Sequence, residues 1–238
     1  MKISVIVPAY NEQAWIGHTL RRIQRAMDAA GRDMFELIVV DNASSDKTAE
    51  IAEENGARVV REQHRGIGRA RNRGAATATG DVLVFVDADT IVPDKLLIRI
   101  REAIAEPAVI GGAVGLAYTT PRKSLAWYLA FERIVGMLAH TARGATQFVW
   151  REVFNSLGGY DPMLWMSEDI DFYRRLRKYA RKNGREVKLL DDIQVEPSTR
   201  RFDRTPLSMI IRRTNPLDSW VYRRRRDFWR DWYDNPIR

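Results

Sequence analysis

The sequence predicts an α/β fold: a mostly parallel central sheet with helices on both faces, followed by a basic helical tail. Three observations predict it. Apolar-rich runs at Lys2–Pro8, Phe35–Val40 and Val82–Val86 are short and dominated by β-branched residues, as in strands buried on both faces. Segments with helical apolar spacing separate them, so strand and helix alternate through the first 90 residues, the pattern of a parallel sheet. The runs also lead into polar and acidic residues, and the carboxyl ends of strands are where open α/β sheets bind ligands.

Each element has its own signal. Lys2–Pro8 is the first strand, stopped by Pro8. Ile16, Leu20, Ile23 and Met27 give Ala14–Ala30 a helical stripe. Phe35–Val40 is a second strand that delivers Asp41-Asn-Ala-Ser-Ser-Asp46. Ser45 or Asp46 can cap a helix over Lys47–Asn55, which Gly56 closes. Ala57–Val60 is a short third strand, and Gly66–Thr79 is a small-residue helix that leaves through Gly80 and Asp81. Beyond the strand at Val82, a helix is expected over Asp94–Ala105 and a strand over Val109–Tyr118, whose glycines permit a bulge or close approach. An amphipathic helix follows at Ser124–His140, then a strand at Gly144–Trp150 and a helical turn to Leu157. Gly158–Pro162 is a loop, Glu168–Asn183 a helix with acids in its first turn, and Val187–Leu190 the last strand.

Composition narrows the function classes. The 238 residues are 45% hydrophobic and 29% charged, a globular composition with room for one large α/β domain or two small ones. The absence of cysteine excludes disulfides, thiolate metal sites and a cysteine nucleophile. Met1–Val7 is too short for a signal peptide, and Leu125–Leu138 carries Glu132 and Arg133, so no transmembrane helix is expected. A net charge of +8 and a pI near 9.9 imply an anionic partner, such as nucleotide phosphates, membrane lipid or nucleic acid.

The chemistry centres on Val82–Thr90, an apolar strand that runs into Asp87-Ala88-Asp89. Two acids one residue apart repel each other unless a cation or hydrogen-bond donors stand between them. Carboxylate oxygens suit Mg²⁺ or Mn²⁺, which commonly complete their shell with substrate phosphates. Acidic residues near Glu12 and Asp41 follow the other parallel strands, so the three loops converge on one crevice. His64–Gly74 places glycines and arginines at a helix start, a plausible phosphate contact. It is no dinucleotide fingerprint, because Arg71 stands where a third glycine is needed, and no Walker A sequence is present.

The ordered set Val5–Glu12, Val40–Asp46, Ala70–Gly74, Asp87-Ala-Asp89, Gly158-Gly-Tyr-Asp161 and Glu168-Asp169 resembles the family 2 glycosyltransferases of the GT-A fold over roughly residues 1–200. The resemblance implies a nucleotide-diphospho-sugar donor, usually a UDP-sugar, and a divalent metal, Mn²⁺ or Mg²⁺. It implies base and ribose contacts from Pro8, Ala9, Tyr10, Glu12 and Asp41, and a nucleotide-facing Arg71. Asp87 and Ala88 would lie toward the nucleotide, Asp89 and Asp87 at the metal, and Asp169 beside Glu168 would be the general base. The implied layout is a transferase domain at 1–205, with a nucleotide half at 1–90 and an acceptor half at 91–205, and a basic aromatic tail at 206–238.

The reaction this implies is transfer to an acceptor hydroxyl with inversion. A metal across the diphosphate stabilises the leaving group, and a carboxylate opposite it takes the proton of a poor nucleophile. Like-charge neighbours would raise the base's pKa and the helix N-terminus would lower it. One departure stands out. Many metal-dependent relatives supply a late His, but Val195–Phe202 has none, so Glu196 or water would substitute for it, or Arg200 and Arg201 would take over some of the phosphate charge. The alternatives are a retaining transferase of the same fold and a catalytically silent nucleotide-sugar-binding module acting through its tail. A sugar nucleotidyltransferase would want a glycine-rich turn where Pro8–Glu12 stands.

Other residues read more plainly. His18, His140 and Arg73 are ordinary helix residues, and Trp127, Tyr128, Phe131 and Met137 are expected to pack. His64 is a possible donor contact, and Trp150 and Trp165 are candidate sugar platforms. The tail mixes Trp220, Tyr222, Trp229, Trp232 and Tyr233 with Arg223–Arg226 and Arg230, which suits peripheral contact with anionic lipid or a lipid-linked acceptor first, packing on its own domain or a second subunit next and nucleic acid last, so no nucleic-acid partner is expected. The expected location is the cytoplasm, at or near the inner face of a membrane.

Overall fold

The computed structural model describes residues 1–138, 145–215 and 221–229. The expected helix end at His140, the strand start at Gly144 and the tail's Trp220, Arg230, Trp232 and Tyr233 lie outside them, as does the side chain of Met137.

Four parallel strands form one half of the sheet: β1 (Ile3–Ala9), β2 (Phe35–Asp41), β3 (Arg58–Arg61) and β4 (Val82–Val86). The other half holds β5 (Thr90–Ile91), β6 (Val109–Leu116), β7 (Thr146–Trp150) and β8 (Glu186–Pro197). The order is β3-β2-β1-β4-β7-β6-β8-β5. β7 runs antiparallel to both of its neighbours and β5 antiparallel to β8, so the sheet is mostly parallel.

Both faces are covered. Alternate residues of β1, Ile3, Val5 and Val7, meet α1 (Ile16–Ala30) and α4 (Leu96–Ala105) through Leu20, Ile23, Ile100 and Ile104. The residue between, Ile6, joins Ile38, Val40, Leu83 and Phe85 against α3 (Ile67–Thr77), α6 (Arg151–Ser156) and α7 (Glu168–Lys182). Successive side chains of a strand point to opposite faces, so burial on both sides is why these runs lack polar alternation. Gly74 lets α3 lie close on the sheet: a Cβ there would stand 2.4 Å from Ile6 Cγ2. α2 (Thr48–Glu54) completes the first half, and Asp46 Oδ1 accepts from the Thr48 N–H at its start.

The second half departs from expectation in two places. β8 is far longer than Val187–Leu190, because the sheet register jumps from Val114↔Leu190 to Gly115↔Gln194 and leaves Asp191–Ile193 as a bulge. Along α5 (Lys123–Leu138), Leu125 and Leu129 pack with Ile210 of α9 (Leu207–Thr214), but Trp127 and Phe131 face outward at 79% and 59% exposure. Among the described residues no helix is long and apolar enough to cross a membrane.

Candidate functional site

The register Ala9↔Asp41 brings the carboxyl ends of β1 and β2 level, and β4 ends beside β1. Three loops therefore leave one rim together. The first two are laced: Asn11 Oδ1 accepts from the Ser45 N–H at 2.7 Å, and the Glu12 N–H donates to Thr48 Oγ1 at 2.7 Å. Asn11, Ala43 and Ser167 are the described non-glycine residues with positive φ, at 53°, 60° and 61°. They lie after β1, after β2 and just before α7, and such strained backbone concentrates at functional sites.

Between these loops lies a cleft of about 240 Å³. Pro8, Ala9, Tyr10, Glu12, Asp87, Ala88 and Asp89 line it. Of the pair Asp41-Asn42, Asn42 lines the cleft, while the Asp41 carboxylate accepts from the Ser44 N–H at 3.1 Å. Asn42 also ties down the next loop, donating to His64 O and accepting from the Gly66 N–H. That loop swings Arg65 over the Tyr10 ring at 4.2 Å. The His64 side chain is 80% exposed and pairs with Glu62.

Arg71 joins two groups of acids. Its side chain is 2% exposed and bridges Asp87 at 2.8 Å and Glu168 at 2.6 Å. Burial alone would lower its pKa, but Asp87 and Glu168 outweigh that and hold it above its usual value. Burial pushes Asp87 up to about 6, against the pull of Arg71. It pushes Glu168 up to about 7, again against Arg71 and with Asp169 adding repulsion. Asp89 rises to about 6 through burial and the nearby Glu12.

A second relay fixes the start of α7. Asn72 Oδ1 accepts from the Tyr160 N–H and its Nδ2 donates to Tyr160 O, so α3 braces the Gly158–Asp161 turn. The brace needs Gly159, whose φ is +68° and whose Cβ would stand 2.6 Å from Asn72 Oδ1. The Tyr160 hydroxyl donates to Gln147 Oε1 at 2.8 Å, and Gln147 Nε2 donates to Asp169 O at 3.0 Å. The last described segment closes over this region: the Trp165 N–H donates to Arg223 O, Arg224 pairs with Asp161, and Arg226 lies over the Trp165 ring.

The far side of the cleft is built by β5 and β8. Thr90 pairs with Pro197 and Ile91 with Glu196, which carries Arg200 on α8 (Arg200–Asp203) to the acids. Arg200 Nη2 reaches Glu12 Oε1 at 2.6 Å and Asp89 Oδ2 at 3.3 Å.

Sequence reasoning passed over Asn42, Asn72, Gln147 and Tyr160 as positioning residues. Asn42, Asn72 and Tyr160 fall inside the motifs of the sequence, and a glutamine inside the apolar run Thr146–Trp150 is the kind of buried polar residue that signals a partner. Trp150 is no sugar platform: it pairs with Val82 at the opposite end of β4 and its indole donates to Val109 O.

Asp87 and Asp89 offer the hard oxygens that a divalent ion takes, and among the described residues no group of three or more His, Asp or Glu that could hold a metal ion is gathered.

Comparison with known proteins gives a consistent result. The family model described as Glycosyl transferase family 2 matches residues 4–166. Dolichol-phosphate mannosyltransferase of Pyrococcus furiosus is 34% identical over 132 residues, 53% of this chain and 36% of that protein. Glucosyl-3-phosphoglycerate synthase of Mycobacterium tuberculosis is 36% identical over 131 residues, 52% of this chain and 39% of that protein. The chain thus spans well under half the length of these relatives. The mannosyltransferase PcManGT from Pyrobaculum calidifontis, in complex with GDP-Man and Mn²⁺, superposes with a TM-score of 0.64 at 24% identity, over 83% of this chain and 57% of that one. S. aureus TarS with UDP-GlcNAc gives 0.65 at 23% identity, over 82% and 58%. At such identities the likeness is one of fold.

Proposed function

Because this chain belongs to glycosyl transferase family 2, we propose that it moves a sugar from a nucleotide-diphospho-sugar to an acceptor hydroxyl with inversion. The observation that carries this reading is the bridge made by Arg71. One buried guanidinium ties Asp87 to Glu168, so the donor acids and the Glu168-Asp169 pair belong to one site. Acids that line a cleft and a carboxylate pair tied to them offer the two parts that glycosyl transfer needs: a grip on the departing diphosphate and a base for the incoming alcohol.

The roles divide by position. Tyr10, with Arg65 above its ring, offers a platform beside which a base can stack. Pro8, Ala9 and Asn42 shape the nucleotide end of the cleft. Asp87 and Asp89 would hold the divalent ion. When bound, that ion supplies positive charge against the anion growing on the leaving group. Asp169 takes the proton from the acceptor hydroxyl, and its backbone is set by Gln147. Attack from the side opposite the diphosphate inverts the anomeric carbon. GDP-Man and UDP-GlcNAc, named in the neighbours' complexes, set the range of donors to try. Dolichol-phosphate, in the name of the Pyrococcus relative, makes a lipid-linked acceptor the first class to test.

The test is release of nucleoside diphosphate from UDP- and GDP-sugars with Mn²⁺ or Mg²⁺, in the wild type, Asp89→Ala and Asp169→Asn. Both variants should lose most of the turnover, about a hundredfold for the base. Equal turnover in all three would remove these assignments.

A further inference from the structure

The acids that β4 and the β1 loop present to the cleft already hold a cation, and the chain itself supplies it. Arg200 bridges Glu12 and Asp89, with its side chain only 12% exposed. The Trp15 ring supports the guanidinium at 5.5 Å. Arg201, beside it, reaches Glu12 at 3.6 Å and lines the cleft. Arg200 Nε is buried and has no hydrogen-bond acceptor. Buried N–H groups are rarely left unmet, and those that are call for an explanation such as an absent ion or ligand.

We infer that Arg200 is the residue of this cleft that grips the diphosphate of the nucleotide, exchanging its hold on Glu12 and Asp89 for phosphate oxygens when the donor enters. This rests on the donor reading above and goes beyond it, because it gives the leaving group a protein cation of its own. Three observations carry it. A guanidinium is a planar fork that matches phosphate oxygens two at a time. Arg200 is the first residue of α8, and its neighbours Pro197, Ser198, Arg201 and Phe202 line the cleft. The acids there also have their cations in place: Arg71 meets Asp87 and Glu168, Arg200 meets Glu12 and Asp89, and Arg201 meets Glu12. A diphosphate entering this set brings further negative charge that must find a partner, and a cation whose Nε–H is still unfilled is placed to provide it.

The inference is tested by binding alone, without turnover. Isothermal titration in EDTA compares UDP, GDP and dTDP with the matching monophosphates. In the wild type the preferred diphosphate should bind about tenfold or more tighter than its monophosphate, the size expected of hydrogen bonds to a charged group. In Arg200→Gln that ratio should fall close to one while monophosphate binding persists, which also shows that the cleft is intact. Arg200→Lys keeps the charge without the fork and should lie between. An unchanged ratio in Arg200→Gln overturns the inference, and so does an equal loss for both nucleotides, which would mark Arg200 as a support for Glu12 and nothing more. Diphosphate uptake by the wild type only in the presence of Mn²⁺ also overturns it. A wild type that takes up none of these nucleotides, with or without Mn²⁺, instead sinks the donor reading itself and this inference with it.

Discussion

Replacing Arg71 with methionine probes the centre of the site. The guanidinium is 2% exposed and touches Asp87 at 2.8 Å and Glu168 at 2.6 Å. Methionine keeps much of the volume, so the penalty reports lost charge rather than a cavity. Removing one partner of a buried ion pair leaves the other uncompensated, at a cost of about 3–5 kcal/mol. The pH dependence follows from Glu168, whose pKa burial already raises to about 7 with the guanidinium present. A carboxyl raised above its unfolded value contributes stability that is complete below about pH 4 and is lost as pH climbs through the folded value. In the wild type that loss runs up to about pH 7. Without Arg71 the folded value rises further, and each added unit costs about 1.4 kcal/mol at pH above it. Urea unfolding in metal-free buffer should therefore place Arg71→Met about 3 kcal/mol or more below wild type at pH 8, and nearer to it by about 1.4 kcal/mol or more at pH 5.5. A penalty of equal size at the two pH values would refute uncompensated charge as the cause. A penalty under about 1 kcal/mol at pH 8 would refute the claim that this arginine is what lets the acids share a site.

Three further outcomes are expected. Tyr160→Phe removes the hydroxyl that holds Gln147, and with it one support of the Asp169 backbone. Stability should drop by about 1 kcal/mol in thermal melts, while kcat falls more than KM changes; an unaltered kcat would detach this relay from the reaction. Trp229 is fully buried and donates to Tyr222 O, so Trp229→Ala should cost about 3–5 kcal/mol in urea unfolding. Arg224→Ala, which breaks a pair with a 60% exposed arginine, should stay within about 0.5 kcal/mol of wild type. Reversal of that order would show that the segment is held by surface charge.

The first half of the fold was legible because its signals are local. β1, β2 and β4 are buried on both faces, so their apolar runs stand out within a few residues. The acids follow from the same reading, since parallel strands end on one rim. The second half depends on partners far along the chain. Nothing local tells Thr146–Trp150 to run against β4, and the Asp191–Ile193 bulge breaks the period by which the full length of β8 would be seen. Trp127 and Phe131 show the limit of helical spacing. They lie four residues apart like Leu125 and Leu129, and only the position of α9 decides which pair is inside. The sequence names Arg200 only as one of several candidates where a late histidine is absent, with nothing local to single it out. Its approach to Glu12 needs the Thr90–Pro197 pairing, which two-residue β5 does not announce.

α3 couples the two halves of the molecule a second time, beside the ladder between β4 and β7. Gly74 seats it against Ile6 and Val40, Arg71 reaches Glu168, and Asn72 clasps the turn at Tyr160. A chimera that grafted another protein's acceptor region onto these first ninety residues would meet its seam here, at a guanidinium and a carboxamide that expect particular counterparts. Swapping α3 along with the graft would only move the mismatch to the strands beneath it. Domain shuffling in this scaffold should therefore succeed when the helix, its turn and the head of α7 travel as one cassette.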